Sequence, residues 1–349
     1  MSKVFYDSLG KTQIWPRLKY TNPSSLTYDD VLLTPQTSDI KSREKVDTSV
    51  KFGPYILSKP IISAPMDTIS GEKMIRKLAE LGAMGTLPRG DLEERIKLCK
   101  SFSNENIPCL YAIGLKNGFS ESSELKKSGA KIILIDVAHG GMRQVAELAK
   151  EIKTKLGLWV VAGNIVSYSQ AKLYKKDSVD IARVGVGPGG LCITRLVAGT
   201  GFPQLSAVFE TTSAGIPVIA DGGIKKPADF AKALAAGANI VMIGSLFAGT
   251  DETPGDVIHG FKKARGQAST EYMKDAGVTS GEFRAAEGIS INVSAKGPVQ
   301  NVISDLMGGL RSAMTYAGAQ NLKQFQKKAI FTLISGRTSE ENKPWLSSL

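Results

Sequence analysis

The run Lys131-Ile132-Ile133-Leu134-Ile135-Asp136-Val137-Ala138 decides the fold. Four consecutive large aliphatic side chains leave no alternation between core and solvent, so a strand built from them is buried on both faces. Strands of that kind belong to parallel sheets covered by helices. Similar runs recur at Ile61–Ala64, Ala83–Leu87, Cys109–Ile113, Leu158–Ala162, Asp180–Val186, Ile216–Ala220 and Asn239–Ile243. Most are followed by apolar residues at helical spacing, as in Gly71–Leu81, Leu92–Phe102, Gln144–Leu156 and Ala228–Ala236. Asp91 and Ser167 suit helix N-caps, and Pro227 suits a first helical turn. Eight such units predict a closed (β/α)8 TIM barrel, with an open doubly wound sheet as the alternative. Residues 1–55 form a preamble with a polar turn at Ser38–Arg43. After the eighth unit, Arg265–Ser294 is polar and glycine-bearing and lacks a sustained apolar period. It reads as a mobile flap over about 265–294. A helix from about Val299 to Ala317 then closes what reads as one domain over residues 1–349, with no linker.

Composition narrows the class. Hydrophobic residues make up 42% and charged residues 22% of the 349-residue chain, a balance that supports a large core. Cys99, Cys109 and Cys192 are odd in number and lack metal-ligand spacing, which fits a reduced, cytoplasmic setting. Cys99 and Cys109 read as small core residues. With His139 and His259 as the only histidines, a histidine-based zinc site is not expected. The N-terminus has no signal-peptide core and no run is long enough to span a bilayer, so no membrane partner is expected. The net charge of +11 is spread along the chain beside acids, as in Asp91-Leu92-Glu93-Glu94-Arg95-Ile96-Lys97. No basic cluster is interleaved with aromatics. Solvated helix faces explain such a pattern, and no nucleic-acid partner is expected.

The chemistry concentrates in Val184-Gly185-Val186-Gly187-Pro188-Gly189-Gly190-Leu191-Cys192-Ile193-Thr194-Arg195. One thiol ends a glycine-rich loop directly after an apolar strand, and a thiolate is a strong nucleophile near neutral pH. In a barrel, reactive groups lie on loops beyond the C-terminal ends of the strands. Cys192 falls on the sixth such loop, Asp221-Gly222-Gly223 on the seventh and Gly244-Ser245 on the eighth. Small residues after strands seven and eight expose backbone N–H groups that suit a phosphate. Asp221 suits a ribose diol or a helix cap. Met66-Asp67-Thr68 and Asp136-Val137-Ala138-His139-Gly140 add polar groups to the same rim, where His139 is either an acid or a simple hydrogen-bonding residue.

Gly185–Arg195, together with Phe202-Pro203-Gln204-Leu205-Ser206-Ala207-Val208, Asp221-Gly222-Gly223 and Pro65-Met66-Asp67-Thr68, resembles the inosine monophosphate dehydrogenase and guanosine monophosphate reductase superfamily. The resemblance covers roughly residues 25–335. It implies a (β/α)8 barrel in which a cysteine attacks C2 of a purine nucleotide. The reductase branch is the nearer. Leu92–Phe102 runs straight to the third strand, with no CBS-type regulatory insertion. The segment from Gly266 to Glu287-Gly288 resembles the reductase flap without a gap, and the Arg-Tyr pair of the dehydrogenase flap occurs nowhere in the chain. Gln204–Val208 and Gly309–Tyr316 are also reductase-like. The chain departs from the reductase pattern at Leu87-Pro88-Arg89-Gly90, Gln267-Ala268, Ile289, Pro65 and Gly140-Gly141, positions that touch cofactor and base contacts.

By this resemblance the reaction is GMP plus NADPH to IMP, ammonia and NADP, in purine nucleotide interconversion. The alternatives are an IMP dehydrogenase lacking its regulatory domain and a non-catalytic nucleotide-binding regulator. The implied catalytic residues are Cys192, Thr194 and Glu287. Met66, Asp221, Gly222, Gly223, Gly244, Ser245, Gly266, Arg284, Ala286 and Gly288 would bind the substrate. Ser42, Arg43, Asp136, Val137, Ala138, Val186, Gly187, Phe283, Arg284, Ser312, Ala313, Met314 and Thr315 would contact NADPH, some across a subunit boundary. Backbone carbonyls of Gly187, Gly189, Cys192 and Arg195 would hold a potassium ion. The family also implies a homotetramer.

Overall fold

The computed structural model describes residues 25–176, 179–277 and 285–334, together with the strands Val4–Tyr6 and Thr12–Ile14. Eight parallel strands form the centre: β1 (Ile61–Ser63), β2 (Gly85–Leu87), β3 (Cys109–Ile113), β4 (Ile132–Asp136), β5 (Trp159–Ile165), β6 (Ile181–Val184), β7 (Val218–Asp221) and β8 (Ile240–Ile243). From β2 to β8 each strand pairs with the next in sequence, and β8 pairs with β1 through Met242 opposite Ile62. A bridge between Ile62 and Met84, with Met84 N–H donating to Ile61 at 3.1 Å, joins β1 to the start of β2. The sheet is therefore a closed barrel, as expected, and not an open sheet.

The aliphatic runs behave as their composition requires. Ile132, Ile133, Leu134 and Ile135 are fully buried, as are Val160, Val161 and Ala162 beside them. Helices α1 (Glu72–Glu80), α2 (Leu92–Asn104), α3 (Gly118–Lys127), α4 (Arg143–Glu151), α5 (Tyr168–Lys176), α6 (Gln204–Thr212), α7 (Pro227–Ala235) and α8 (Val299–Tyr316) cover the outside. Asp91 caps α2 by accepting the Glu94 N–H at 2.9 Å, Ser167 accepts the Gln170 N–H at 3.3 Å, and Pro227 occupies the first turn of α7. Gly309 on α8 faces α7 so closely that a Cβ there would lie 2.5 Å from Pro227 Cβ. That approach seats α8 as the last helix of the ring. Cys99 and Cys109 are fully buried, as their sequence context implies.

Three sequence expectations are revised at their edges. The fifth strand runs three residues past Ala162, because Gly163 stays in register with Asp136 of β4 and Ile165 with Val184 of β6. The helix expected over Gln144–Leu156 ends as α-helix at Glu151 and finishes in a wider π turn, Ile152–Leu156, closed by Gly157 at φ +67°. The segment after the eighth unit is not simply loop. Strand β9 (Phe261–Arg265) pairs antiparallel with β10 (Ser290–Ser294), so both ends of the expected flap are rooted in one ribbon. Lys262 fastens this ribbon to the barrel, its buried ammonium donating to the carbonyls of Thr253 at 2.7 Å and Thr250 at 3.1 Å.

The preamble contributes a hairpin, Val50–Phe52 with Tyr55–Leu57, whose Phe52 is buried. Val31–Leu33 pairs antiparallel with Phe331–Leu333, tying the two ends of the described chain together. Surface charges pair locally, as in Arg76 with Glu72, Lys77 with Glu80 and Lys155 with Glu151, the pattern of solvated helix faces. No helix among the described residues is long and apolar enough to cross a membrane.

Candidate active site

A cavity of about 540 Å³ opens at the C-terminal ends of the strands. Its volume lies within the usual range of small-molecule sites. The loop after β6 forms one wall and puts Cys192 into it, half-buried. Gly185 starts that loop at φ +143°, where a Cβ would lie 2.2 Å from the Asp221 carbonyl oxygen. Only glycine meets both demands. Gly185→Ala should cost about 1–3 kcal/mol of stability. Denaturant unfolding measures the effect; an unchanged value would show that the loop tolerates displacement.

Cys192 Sγ lies 3.1 Å from Thr194 Oγ1. The loop between them is stitched to the end of the flap. The Ile193 N–H donates to the Glu287 carbonyl at 2.8 Å, and the Ile289 N–H donates to the Leu191 carbonyl at 3.0 Å. Cys192 and Gly288 thus face each other as an antiparallel pair. Glu287 is anchored from its other side, its N–H reaching the Ala268 carbonyl at 3.0 Å. A thiol, a hydroxyl and a carboxylate-bearing residue share one lining.

The loops after β7 and β8 carry the complementary feature. Among the described residues, the N–H groups of Gly222, Gly223, Ile224, Ser245 and Leu246 donate to no protein group. Gly190 packs against Ser245, bringing the cysteine loop over this row of donors. Lys296 braces it from behind, donating to the carbonyls of Ser245 at 3.3 Å and Leu246 at 3.2 Å. Gly222, Gly223, Ile224 and Ser245 line the cavity, and unpaired amides so placed form an anion cradle.

Carboxylates occupy the middle of the floor. Asp221 Oδ2 accepts from Asn164 Nδ2 at 2.7 Å and from Arg183 Nε at 2.9 Å. Arg183 also bonds Asp136 through Nη1. Burial works against the Arg183 charge, yet Asp221 and Asp136 more than offset it and hold its pKa above the ordinary value. The flap root is lashed to the loop after β1. Arg265 pairs with Asp67 and Asp275, its N–H donates to Thr68 Oγ1 at 3.0 Å, and the Gln267 amide donates to the Pro65 carbonyl.

Most residues singled out in the sequence meet in this cavity. Met66, Asp136, Val137, Ala138, Val186, Gly187, Gly189, Cys192, Thr194, Asp221, Gly222, Gly223, Gly244, Ser245, Gly266, Glu287 and Gly288 all line it, as does His139 on the exposed rim. Ala286 falls just outside the lining, and Phe283 and Arg284 lie outside the described residues. Arg195 lies behind the loop against Gly187, its guanidinium donating to the Phe202 carbonyl at 2.7 Å. Ser42, Arg43 and Ser312–Thr315 do not reach the cavity of their own chain. Met314 is fully buried, and the Ser312 and Thr315 hydroxyls bond their own helix at Gly308 and Arg311. Asn164 and Arg183 line the cavity without having been recognised as site residues, and Arg89 and Gln267, noted in the sequence as departures at cofactor and base contacts, line it too.

A barrel that gathers a thiol, a hydroxyl and an anion cradle at one end defines an enzyme site for an anionic substrate. The comparisons with known proteins make the class specific. Residues 25–345 match the family described as IMP dehydrogenase / GMP reductase domain. The GMP reductase of Ligilactobacillus salivarius (strain UCC118) is 36% identical over 311 residues, covering 86% of this chain and 94% of that protein. The inosine-5'-monophosphate dehydrogenase of Cryptosporidium parvum is 33% identical over 372 residues, covering 89% of this chain and 92% of that protein. Among solved structures, GMP reductase from Trypanosoma brucei, a cysteine-to-alanine variant in complex with guanosine 5'-monophosphate, superposes with a TM-score of 0.86. It is 26% identical, with 93% of this chain and 98% of that one covered. The chain belongs to the IMP dehydrogenase and GMP reductase family of oxidoreductases.

Proposed function

We propose that this chain is an NADPH-dependent GMP reductase, converting GMP to IMP and ammonia. The observation that carries the reading is the Cys192–Thr194 pair at 3.1 Å, pinned through Ile193 to Glu287 opposite the anion cradle. Proteins named GMP reductase recur among the relatives, from Onchocerca volvulus (34% identical) to Caenorhabditis elegans (33% identical).

In this reading the cradle of Gly222, Gly223 and Ser245 holds the phosphate, and Asp221 accepts from the ribose hydroxyls. Cys192 Sγ bonds to C2 of the guanine. Losing the 2-amino group as an anion is prohibitive, so Glu287, acting through the Thr194 hydroxyl, delivers a proton to that nitrogen. The C2–N bond then breaks, leaving a thioimidate on Cys192 and free ammonia. NADPH, when bound, supplies the hydride that C2 takes up. The C2–S bond breaks, and IMP leaves with the thiolate restored. Covalent attachment divides one hard substitution into two easier steps. Water must be kept out, since hydrolysis of the same adduct gives XMP.

The cavity floor suits the second ligand. Asp136, beside Val137 and Ala138, has one buried carboxylate oxygen that accepts no hydrogen bond and lies 3.4 Å from Arg89 Nε, and in this reading its carboxylate accepts from a ribose hydroxyl. Ser42, Arg43, Ser312, Ala313 and Thr315, remote from their own chain's cavity, fit contacts made to a neighbouring protomer of a homotetramer, whereas Met314 is fully buried in its own chain and does not. The Gly187 and Cys192 carbonyls accept no hydrogen bond among the described residues, which suits a potassium ion held with Gly189 and Arg195. Three free cysteines fit a cytoplasmic setting.

The dehydrogenase relatives give the competing reading, IMP oxidised to XMP, although the Arg-Tyr pair is absent. A cofactor absorbance assay separates them. Purified protein should oxidise NADPH only when GMP is present and should release ammonia in equal amount. NADH formation from IMP and NAD, with XMP as product, would overturn the assignment.

A further inference from the structure

Arg183 is the one charged residue in the strand Ile181-Ala182-Arg183-Val184 and is buried at its centre. Its two arms serve two carboxylates from different strands. Nε donates to Asp221 at the end of β7, and Nη1 donates to Asp136 at the end of β4. Asn164 gives Asp221 a second donor at 2.7 Å. Asp136 Oδ2 is buried and accepts no hydrogen bond, but it pairs as an ion with Arg89 Nε at 3.4 Å.

We propose that Arg183 is a positioning residue that couples the nucleotide half of the cavity to the cofactor half. The inference rests on the assignment of Asp221 to the nucleotide and Asp136 to NADPH. Two carboxylates share one guanidinium, so what satisfies one changes what the other receives. Ribose hydroxyls donating to Asp221 lower its demand on Arg183. The guanidinium then serves Asp136 more fully and fixes a carboxylate that lines the second ligand's half of the cavity. A coupling of this kind is reciprocal: each ligand tightens the other by the same factor. Asp221 and Asp136 sit at opposite ends of one rigid, buried fork, so a small shift at one end cannot dissipate in solvent.

The pair GMP and NADP+ tests this at equilibrium on a Cys192→Ala background, which blocks both deamination and hydride transfer and serves as the reference (wild type at position 183) for the variants below. Binding of each ligand alone comes first and tests the site assignment. Failure of the reference protein to bind either one would overturn that assignment, and the inference with it. Given binding, GMP should tighten NADP+ about tenfold, within the usual range of allosteric coupling, and NADP+ should tighten GMP equally. Arg183→Met should bring the factor below about twofold. Arg183→Lys keeps the buried charge and preserves folding, but one ammonium lacks the planar two-armed geometry. It should still bind each ligand singly and should lose most of the coupling. A merely structural role predicts the opposite, with coupling intact in Arg183→Lys. That result, or a reference protein that binds both ligands independently, would overturn the proposal.

Discussion

Cys192→Ala should abolish GMP reduction while GMP still binds. The separation follows from the geometry, since the thiol stands on the loop after β6 whereas the anion cradle and Asp221 belong to β7 and β8. Gly190 packs against Ser245 through backbone and Cβ atoms, and the Cys192 N–H reaches the Gly189 carbonyl at 3.0 Å, contacts that the variant retains. The cradle is therefore left intact. Removing a covalent step costs several orders of magnitude in turnover. Steady-state NADPH oxidation and calorimetric titration with GMP measure the two quantities. Near-normal turnover would refute the covalent mechanism. Loss of GMP affinity together with turnover would mean that the thiol supports the loop and not the chemistry.

Glu287→Gln should lower GMP reduction by roughly a hundred- to ten-thousand-fold, the usual worth of general acid–base assistance. The backbone at this position is held from two sides, by Ile193 and Ala268, so an isosteric change leaves the flap end in place. If Glu287 passes a proton through Thr194 to the departing nitrogen, only deamination depends on it. Hydride transfer from IMP to NADP+ involves no ammonia and should be much less affected. Pre-steady-state NADPH formation from IMP and NADP+, beside steady-state GMP reduction, compares the two steps. Equal losses in both would remove Glu287 from the role of acid and leave it a part in flap closure.

The barrel was legible wherever strands were uniformly apolar. Ile132–Ile135 and Ile240–Ile243 carry no competing signal, so periodicity and burial agree. The fifth strand was cut short because Gly163 and Asn164 look like turn residues when pairing is unknown. Their register against β4 and β6 is a property of the closed sheet. Helix α3, Gly118–Lys127, was not singled out because Gly-Phe-Ser-Glu-Ser-Ser-Glu has weak amphipathic contrast, and its packing comes from neighbours such as Leu148 and Ile113 against Gly118. The β9–β10 ribbon escaped because half of it faces solvent, with Phe261 and Ile291 exposed, and its partner strands are 25 residues apart from Arg265 to Ser290.

The site was legible on its loops and not on its floor. Cys192, Asp221 and Gly244-Ser245 announce themselves as glycine-flanked residues after apolar strands. Arg183 carried a usable signal, a charge inside an otherwise apolar strand, which in a buried position demands paired carboxylates. Asn164 gave none, because its role arises from neighbours across the barrel, and Arg89 stood out only as a departure from the reductase pattern. The positions Ser42, Arg43 and Ser312–Thr315 came from family likeness alone, and a single chain leaves them outside its own cavity.

The central claim is that C2 of GMP, freed of its amino group while held on Cys192, accepts a hydride from NADPH. NADPH carrying deuterium at both C4 positions tests it directly, with the product nucleotide read by mass spectrometry and proton NMR. The account predicts IMP one mass unit heavier than from unlabelled cofactor, with the purine C2 proton signal lost and ammonia released in equal amount. IMP without the label at C2, or XMP as the product, would contradict it.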